Sequence, residues 1–131
     1  MEERVYTDQA PAAIGPYSQA VKANGFLFTS GQIPINPVTG RIESQDIAGQ
    51  ATQACENVGA ILNAAGTDFT RVIKTTCFLK KMSDFSVFNS VYAEYFVTKP
   101  ARSCVAVLEL PKDALCEIEV VAVLREGEDQ C

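Results

Sequence analysis

The clearest secondary-structure pattern in the chain runs from Arg71 to Leu108, which reads RVIKTTCFLKKMSDFSVFNSVYAEYFVTKPARSCVAVL. Side chains that alternate between two faces predict a strand over 71–80, and apolar residues at three- and four-residue spacing predict a helix over 85–98. Pro100 ends that helix because proline disfavours a helical conformation in the residue before it. A second strand is expected over 101–108. A strand, a helix and a strand in this order form a crossover connection, so the two strands are expected to be parallel and close together.

The other predicted elements complete the domain. The dipeptide Asn24-Gly25 lies between two β-rich segments and predicts a hairpin. Apolar or small residues at helical spacing predict another helix over 47–65, and a last apolar strand is expected over 117–124. The order strand, strand, helix, strand, helix, strand, strand predicts one α+β domain over residues 1–131, with two helices packed on one face of a single mixed sheet.

The predicted strands differ in how their side chains divide between the two faces of the sheet. The strand over 71–80 is expected to place Ile73, Thr75, Cys77 and Leu79 on one face and Val72, Lys74, Thr76, Phe78 and Lys80 on the other. The two C-terminal strands are apolar on both faces, and a strand of this kind needs cover on both. Since the helices are expected on one face only, a homo-oligomer that buries the other face is the simplest cover.

Composition limits the classes of partner. The chain has 131 residues, of which 47% are hydrophobic and 21% charged, as in a folded globular protein. Eleven basic and sixteen acidic side chains give a formal net charge of −5, which weighs against nucleic acid or an anionic membrane as a partner. The N-terminal segment is charged, and no apolar run approaches the roughly 20 residues of a membrane span. We therefore expect a cytoplasmic protein.

The cysteines and the missing histidine restrict the chemistry further. An odd number of cysteines without a C-x-x-C pair predicts free thiols rather than disulfides; they are Cys55, Cys77, Cys104, Cys116 and Cys131. The absence of histidine and of paired thiols disfavours a zinc site, so no metal is expected. Acid or base chemistry near neutral pH must then come from carboxylate, thiol, tyrosine, lysine or bound water.

A full positive charge lies just inside the strand predicted over 101–108. Arg102 stands between Pro100 and the apolar end of the segment KPARSCVAV. A guanidinium stays charged in proteins, and burying it unpaired costs several kcal/mol, so it must meet an anion or reach solvent. Its fork can bind the carboxylate of a small organic acid with two parallel hydrogen bonds. The alternative is an ordinary ion pair with Glu117, Glu119 or another acidic residue.

Three segments carry the most specific sequence signal: AIGPYSQAV (13–21), TSGQIPINPVTGRI (29–42) and PARSCVAVLELPKDALCEIEVVAV (100–123). Together they resemble the Rid family, also called YjgF, and in particular its RidA branch, and the resemblance extends almost from end to end. It implies a homotrimer of the chorismate-mutase-like fold with clefts between subunits. The implied activity is the hydrolysis of reactive enamines and imines, namely 2-aminoacrylate, 2-iminopropanoate and 2-iminobutanoate, to 2-keto acids and ammonia, without a cofactor.

The resemblance also implies roles for single residues. It assigns catalysis to Arg102, which binds the substrate carboxylate, and to Glu117, which holds or activates the attacking water. Glu119 lies on the same side of its strand and competes with Glu117 for that role. The residues expected to bind the substrate are Tyr17, Ser30, Gly31, Arg102 and Cys104, with Ile14 as a further lining candidate. A nucleophilic role for Cys104 lacks a histidine partner, and a small buried hydrophobe is its alternative.

The sequence departs from the pattern of the family at Leu108, a bulky apolar residue where that pattern usually has a small or basic one. This departure bears on packing or cleft depth at the far end of that strand. Two other functions stay open. One is a regulator that binds small 2-keto acids without turnover. The other is an endoribonuclease or translation inhibitor, which the acidic balance and the lack of histidine weigh against.

Overall fold

The structure is a computed structural model that describes residues 2–125. Two helices pack on one face of a six-stranded sheet. The strands are β1 (Glu3–Val5), β2 (Ala20–Ala23), β3 (Phe26–Thr29), β4 (Val72–Leu79), β5 (Ala101–Ala106) and β6 (Cys116–Val123), and the helices are α1 (Ile47–Ala64) and α2 (Phe85–Tyr95). The strand order is β1-β2-β3-β6-β4-β5. Strands β4 and β5 are parallel, and the other pairs are antiparallel. The predicted α+β class with a mixed sheet and a parallel crossover is confirmed.

The predicted hairpin joins β2 to β3 through Asn24 and Gly25. Both residues have positive φ angles, 56° and 86°, as a two-residue turn that matches the strand twist requires. Past the hairpin the chain pairs with the last strand, because Gln32 N donates to Ile118 O at 2.8 Å and Ile118 N donates to Gln32 O at 3.1 Å. This bridge places the segment after β3 beside the start of β6.

Helix α1 and strand β6 form the centre of the core. The Asp46 side chain caps the helix by accepting a hydrogen bond from Gly49 N at 2.8 Å. Alternate residues of β6 and the following Leu124 are buried on the helix side of the sheet; the buried set is Cys116, Ile118, Val120, Ala122 and Leu124. They face the buried stripe of α1, which includes Ala51, Ala54, Cys55, Val58, Ile61 and Leu62. Full burial of an aliphatic side chain contributes about 1.5–3 kcal/mol, so this layer fixes the sheet against the helices.

The structure corrects the two faces predicted for the strand over 71–80. A bulge shifts the register between Val72 and Lys74, so the two residues at the start of β4 exchange places. Val72 is 3% exposed on the core side, whereas Ile73 is 45% exposed. From Thr75 onward the predicted alternation holds. A bulge of this kind adds one residue to a strand and reverses the alternation locally.

Other boundaries also differ from expectation. Helix α2 ends at Tyr95 rather than at residue 98, because Phe96 leaves the helical conformation and stacks on Tyr92 with ring centroids 4.3 Å apart. Strand β5 ends at Ala106, and beyond it the Leu108 side chain is 96% exposed. Strand β1 was not predicted.

The face of the sheet away from the helices is uncovered in a single copy. Phe28 and Val105 keep exposed apolar side chains there, and on β6 Glu117, Glu119 and Val121 are only partly buried. The prediction that a second copy of the chain covers this face stays a prediction. Over residues 2–125 no helix is both long and apolar enough to cross a membrane.

Candidate functional site

Arg102 lies on the helix side of the sheet, near the start of β5. Its neighbour on β4 is Thr75, which is fully buried. The Arg102 Nη1 donates a hydrogen bond to Asn89 Oδ1 at 2.7 Å. The guanidinium carbon lies 4.7 Å from the centroid of the Tyr92 ring and 5.4 Å from that of Phe85. One amide and two aromatic rings, all uncharged, therefore hold the guanidinium in place.

The ion-pair alternative for Arg102 fails within residues 2–125, because no carboxylate there forms an ion pair with it. Glu117 and Glu119 are neighbours of Phe78 and Thr76 on β4, and these residues face the uncovered side of the sheet. A guanidinium has five N–H donors, and one Arg102–Asn89 hydrogen bond leaves most of them for solvent or an anion.

The Tyr92 ring that supports the guanidinium is itself fixed. Its hydroxyl is 2.8 Å from the Thr75 hydroxyl, and this pair is buried. Burial raises the pKa of Tyr92, so the phenol stays neutral under Arg102. This support was not predictable from hydrophobic periodicity alone, because Phe85 and Tyr92 fit the apolar stripe of α2. The signal was present in the spacing, since Phe85, Asn89 and Tyr92 recur at helical intervals on one face.

An open cavity of about 380 Å³ adjoins Arg102 between the end of α2 and the start of β5. It is lined by Asn89, Tyr92, Ala93, Phe96, Lys99, Pro100 and Arg102. The cavity gives a small ligand access to the guanidinium.

Glu117 lies on the uncovered side of the sheet, against Gly31. The approach is so close that a Cβ at Gly31 would fall 1.9 Å from Glu117 Oε2. Burial raises the pKa of Glu117, and the like charge of Glu119 raises it further. In the described part of the chain the Glu117 carboxylate forms no hydrogen bond or ion pair. An unpaired carboxylate with a raised pKa is suited to accept a proton from water.

Tyr17 and Gly31 line a second cavity, of about 310 Å³, together with Ile14. Tyr17 is 55% exposed, so its ring and hydroxyl are accessible. The Ser30 hydroxyl donates a hydrogen bond to Ser18 O at 2.6 Å. Ser30 thus keeps acceptor capacity toward a ligand, while its own proton is engaged.

Cys104 shares the side of Arg102, as the sequence predicts, and lies beside Cys77 of β4. Burial raises the pKa of Cys104, and it raises the pKa of Cys77 and of Cys116 to about 12. A raised pKa disfavours the thiolate, which is the nucleophilic form. These three residues and Cys55 are free thiols, as predicted, and Cys131 lies outside the described residues. Across 2–125 no group of three or more His, Cys, Asp or Glu side chains is arranged to hold a metal ion.

Within one copy of the chain the candidate residues therefore lie in two groups, on opposite faces of the sheet. Arg102 and Cys104 lie on the helix side of the sheet, and Glu117 and Gly31 lie on the uncovered side, where Tyr17 shares a cavity with Gly31. The sequence suggested these residues as site candidates, but it did not indicate that they lie on opposite faces of the sheet.

The architecture is that of an α+β protein with two helices on one face of a mixed sheet, and comparison with known proteins gives its family. Residues 7–124 match the family model described as Endoribonuclease L-PSP. The chain belongs to this family, which is the Rid/YjgF family.

Individual relatives carry different names. A RutC family protein of Pyrococcus horikoshii is 56% identical, covering 93% of this chain and 98% of that protein. A putative regulator, AldR, of Lactococcus lactis is 52% identical, over 92% and 97%. A 2-iminobutanoate/2-iminopropanoate deaminase of Escherichia coli is 48% identical, over 95% and 100%. The crystal structure of E. coli TdcF with bound serine matches with a TM-score of 0.89 and 46% identity, over 92% of this chain and 98% of that one.

Proposed function

We propose that the protein hydrolyses 2-imino acids and their enamine tautomers, such as 2-iminopropanoate and 2-iminobutanoate, to 2-keto acids and ammonia without a cofactor. The observation that carries this proposal is the Arg102 guanidinium, which is held against Asn89 and Tyr92, opens into a cavity and forms no ion pair within residues 2–125. The 48% identity to a deaminase with this specificity supports the reaction type.

In the proposed mechanism Arg102 binds the substrate carboxylate with two hydrogen bonds, which fixes the position of the C=N carbon. The Glu117 carboxylate takes a proton from a water molecule as the water oxygen bonds to that carbon. The protonated Glu117 then returns the proton to the nitrogen. This gives a carbinolamine, whose hydroxyl proton is then passed to the nitrogen through Glu117. The C–N bond breaks, ammonia leaves with this second proton, and the carbon retains the oxygen as a keto group.

We also propose that the site forms between copies of the chain in a homotrimer of the chorismate-mutase-like fold. Two observations support this assembly. Arg102 and Glu117 lie on opposite faces of the sheet in one copy, and exposed apolar residues such as Phe28 and Val105 remain on the uncovered face. Residues 1–131 are proposed to form one domain in each copy.

A cytoplasmic location agrees with the free thiols at Cys55, Cys77, Cys104 and Cys116, because thiols stay reduced in that compartment. The net charge of −5 and the lack of histidine argue against an endoribonuclease role with a nucleic-acid partner.

The test of the proposed function is the rate of 2-keto acid release while an amino-acid oxidase generates the imine. The wild-type protein is expected to accelerate this release. Arg102→Ala is expected to reduce kcat/KM by at least about tenfold, the value of a charge-assisted hydrogen bond. Arg71→Ala, at an exposed arginine, serves as the matched control. Equal rates with wild type and Arg102→Ala would refute the proposal.

A regulator that binds 2-keto acids without turnover is the second candidate, favoured by the relative named as a putative regulator. Calorimetric binding of 2-oxobutanoate without any acceleration of imine decay would support it over the deaminase.

A further inference from the structure

A second positively charged side chain lines the cavity beside Arg102. Lys99 lies in the connection between α2 and β5 and lines the same cavity of about 380 Å³. Within residues 2–125 the other lining residues are Asn89, Tyr92, Ala93, Phe96 and Pro100, and none of these is acidic. Among residues 2–125 Lys99 forms no ion pair. In a chain with a net charge of −5, this is a local concentration of positive charge.

The backbone of Lys99 is strained. Its φ is 57°, in the left-handed region that costs a residue with a Cβ roughly 1–2 kcal/mol. Glycine or asparagine would adopt this conformation at lower cost. Two features restrain the Lys99 backbone in this conformation. Lys99 N donates a hydrogen bond to Phe96 O at 3.3 Å, and the proline ring fixes the φ angle of the next residue, Pro100. Residues held in such conformations cluster at functional sites. Here the strained residue is Lys99, whose charged side chain lines the same cavity as the proposed ligand-binding Arg102.

We propose that Lys99 adapts the site to 2-imino dicarboxylates. This inference rests on the proposed function and specifies its substrate class. Arg102 binds the carboxylate next to the C=N group, and the Lys99 ammonium binds the distal carboxylate. A lysine ammonium is a point charge on a flexible four-carbon stem, which suits a distal group whose position varies with chain length. Water adds to the C=N carbon as before, and the products are a 2-keto dicarboxylate and ammonia.

Two measurements test this inference. The first is calorimetric binding of 2-oxoglutarate and of 2-oxobutanoate, which differ in the second carboxylate. The second is turnover of the imine that D-aspartate oxidase forms from D-aspartate, compared with the imine that D-amino-acid oxidase forms from D-alanine. Wild type is expected to bind 2-oxoglutarate more tightly than 2-oxobutanoate and to have the higher kcat/KM for the aspartate-derived imine.

The variants separate charge from backbone effects. Lys99→Gln is expected to weaken 2-oxoglutarate binding about fivefold, the value of an exposed charge pair, and to leave 2-oxobutanoate binding unchanged. Lys99→Gly is expected to give the same loss with an equal or higher melting temperature, because it relieves the strained φ. Lys99→Arg retains the charge and is expected to retain the preference. Lys81→Gln, at an exposed lysine elsewhere, is the control.

The outcomes distinguish this inference from the function on which it rests. Turnover of the alanine-derived imine with no preference for the dicarboxylate overturns the Lys99 inference and leaves the deaminase proposal standing. An equal effect of Lys99→Gln on both ligands also overturns it. Absence of turnover for both imines, with no effect of Arg102→Ala, overturns the two together.

Discussion

Arg102 and Glu117 point away from opposite faces of one sheet, although their strands, β5 and β6, both pair with β4. Arg102 is the neighbour of buried Thr75, and Glu117 is the neighbour of Phe78 on the uncovered side. A ligand as small as a 2-imino acid cannot contact both side chains of one copy through the sheet. Cooperation between these residues therefore requires a second copy.

Mixing two impaired variants tests this requirement. Arg102→Ala and Glu117→Gln are each expected to have strongly reduced activity, and subunits exchanged in mild denaturant and then refolded together are expected to be more active than either variant alone. When equal amounts of the two variants assemble at random, about one quarter of the sites receive both native residues. Keto acid release measured before and after exchange gives the recovered fraction. Separately refolded variants are the control, and no recovery in mixtures shown to contain both variants would contradict a site shared between copies.

The activity is expected to fall at acidic pH. Burial and the charge of Glu119 raise the pKa of Glu117, and this proposed base is active only when deprotonated, so the rate is expected to drop as pH falls through the raised pKa. Glu119→Gln removes the like charge and is expected to move the acidic limb of the kcat profile to lower pH. Burial remains, so the limb stays above the pH of a free carboxyl group. The control is Glu43→Gln, at an exposed carboxylate, and an unchanged limb in Glu119→Gln would show that Glu117 is not the titrating base.

Gly31→Ala is expected to reduce kcat about a hundredfold while the protein stays folded. The new Cβ would lie 1.9 Å from Glu117 Oε2 and 2.8 Å from its Cδ, so the flexible carboxylate must move, and misplacement by about 1 Å can have this effect. Circular dichroism and kinetics check the two parts. Gly40→Ala, whose Cβ meets no atom within 4 Å, is expected to lose about 1 kcal/mol of stability because its φ is 73°, and to keep full activity in the folded protein. Wild-type kcat in Gly31→Ala would remove Glu117 from the mechanism.

Replacement of Tyr92 tests the aromatic support of Arg102. Tyr92→Leu removes the ring and is expected to raise KM about fivefold, the value of a partly desolvated cation–π contact. Tyr92→Phe keeps the ring and loses only the hydroxyl contact with Thr75, so KM is expected to stay near that of wild type while stability falls by about 1 kcal/mol. Steady-state kinetics and thermal melting measure the two effects. Equal KM values in both variants would show that the ring does not position Arg102.

Cys104→Ala is expected to keep most of the activity, because burial raises the pKa of this thiol and opposes formation of the thiolate. The kcat is expected to stay within about threefold of wild type, since only a few side-chain contacts are lost. Keto acid release measures it, with Cys55→Ala as a control for loss of a buried thiol. Complete loss of activity in a folded Cys104→Ala protein would mean that the thiol takes part in the reaction.

Local patterns in the sequence were sufficient for much of the fold. The Asn24-Gly25 hairpin, the helix beginning at Ile47 and the parallel pairing of β4 and β5 all follow from turn chemistry, periodicity or crossover rules, which depend on near neighbours. The exchange of Val72 and Ile73 was not predictable, because the bulge depends on pairing with β6 across a long stretch of chain. At the early end of α2 the Phe96 ring packs edge-on against Phe69, with ring centroids 5.1 Å apart, and this contact also joins residues far apart in the sequence.

The candidate residues were accessible to sequence reasoning, but their arrangement was not. Chemistry and resemblance singled out Arg102 and Glu117, yet the strand order that puts β4 between them is a long-range property. The contact of Arg102 with Asn89 joins a strand to a helix that a sequence pattern identifies only as amphipathic.

Among the described residues three thiols are fully buried, Cys55, Cys77 and Cys116, and they lie on α1, β4 and β6, the three elements at the centre of the core. A maleimide cannot reach them until the surrounding element separates from its neighbours. Their labelling rates under native conditions would therefore measure how often each element separates from the core, with no engineered probe.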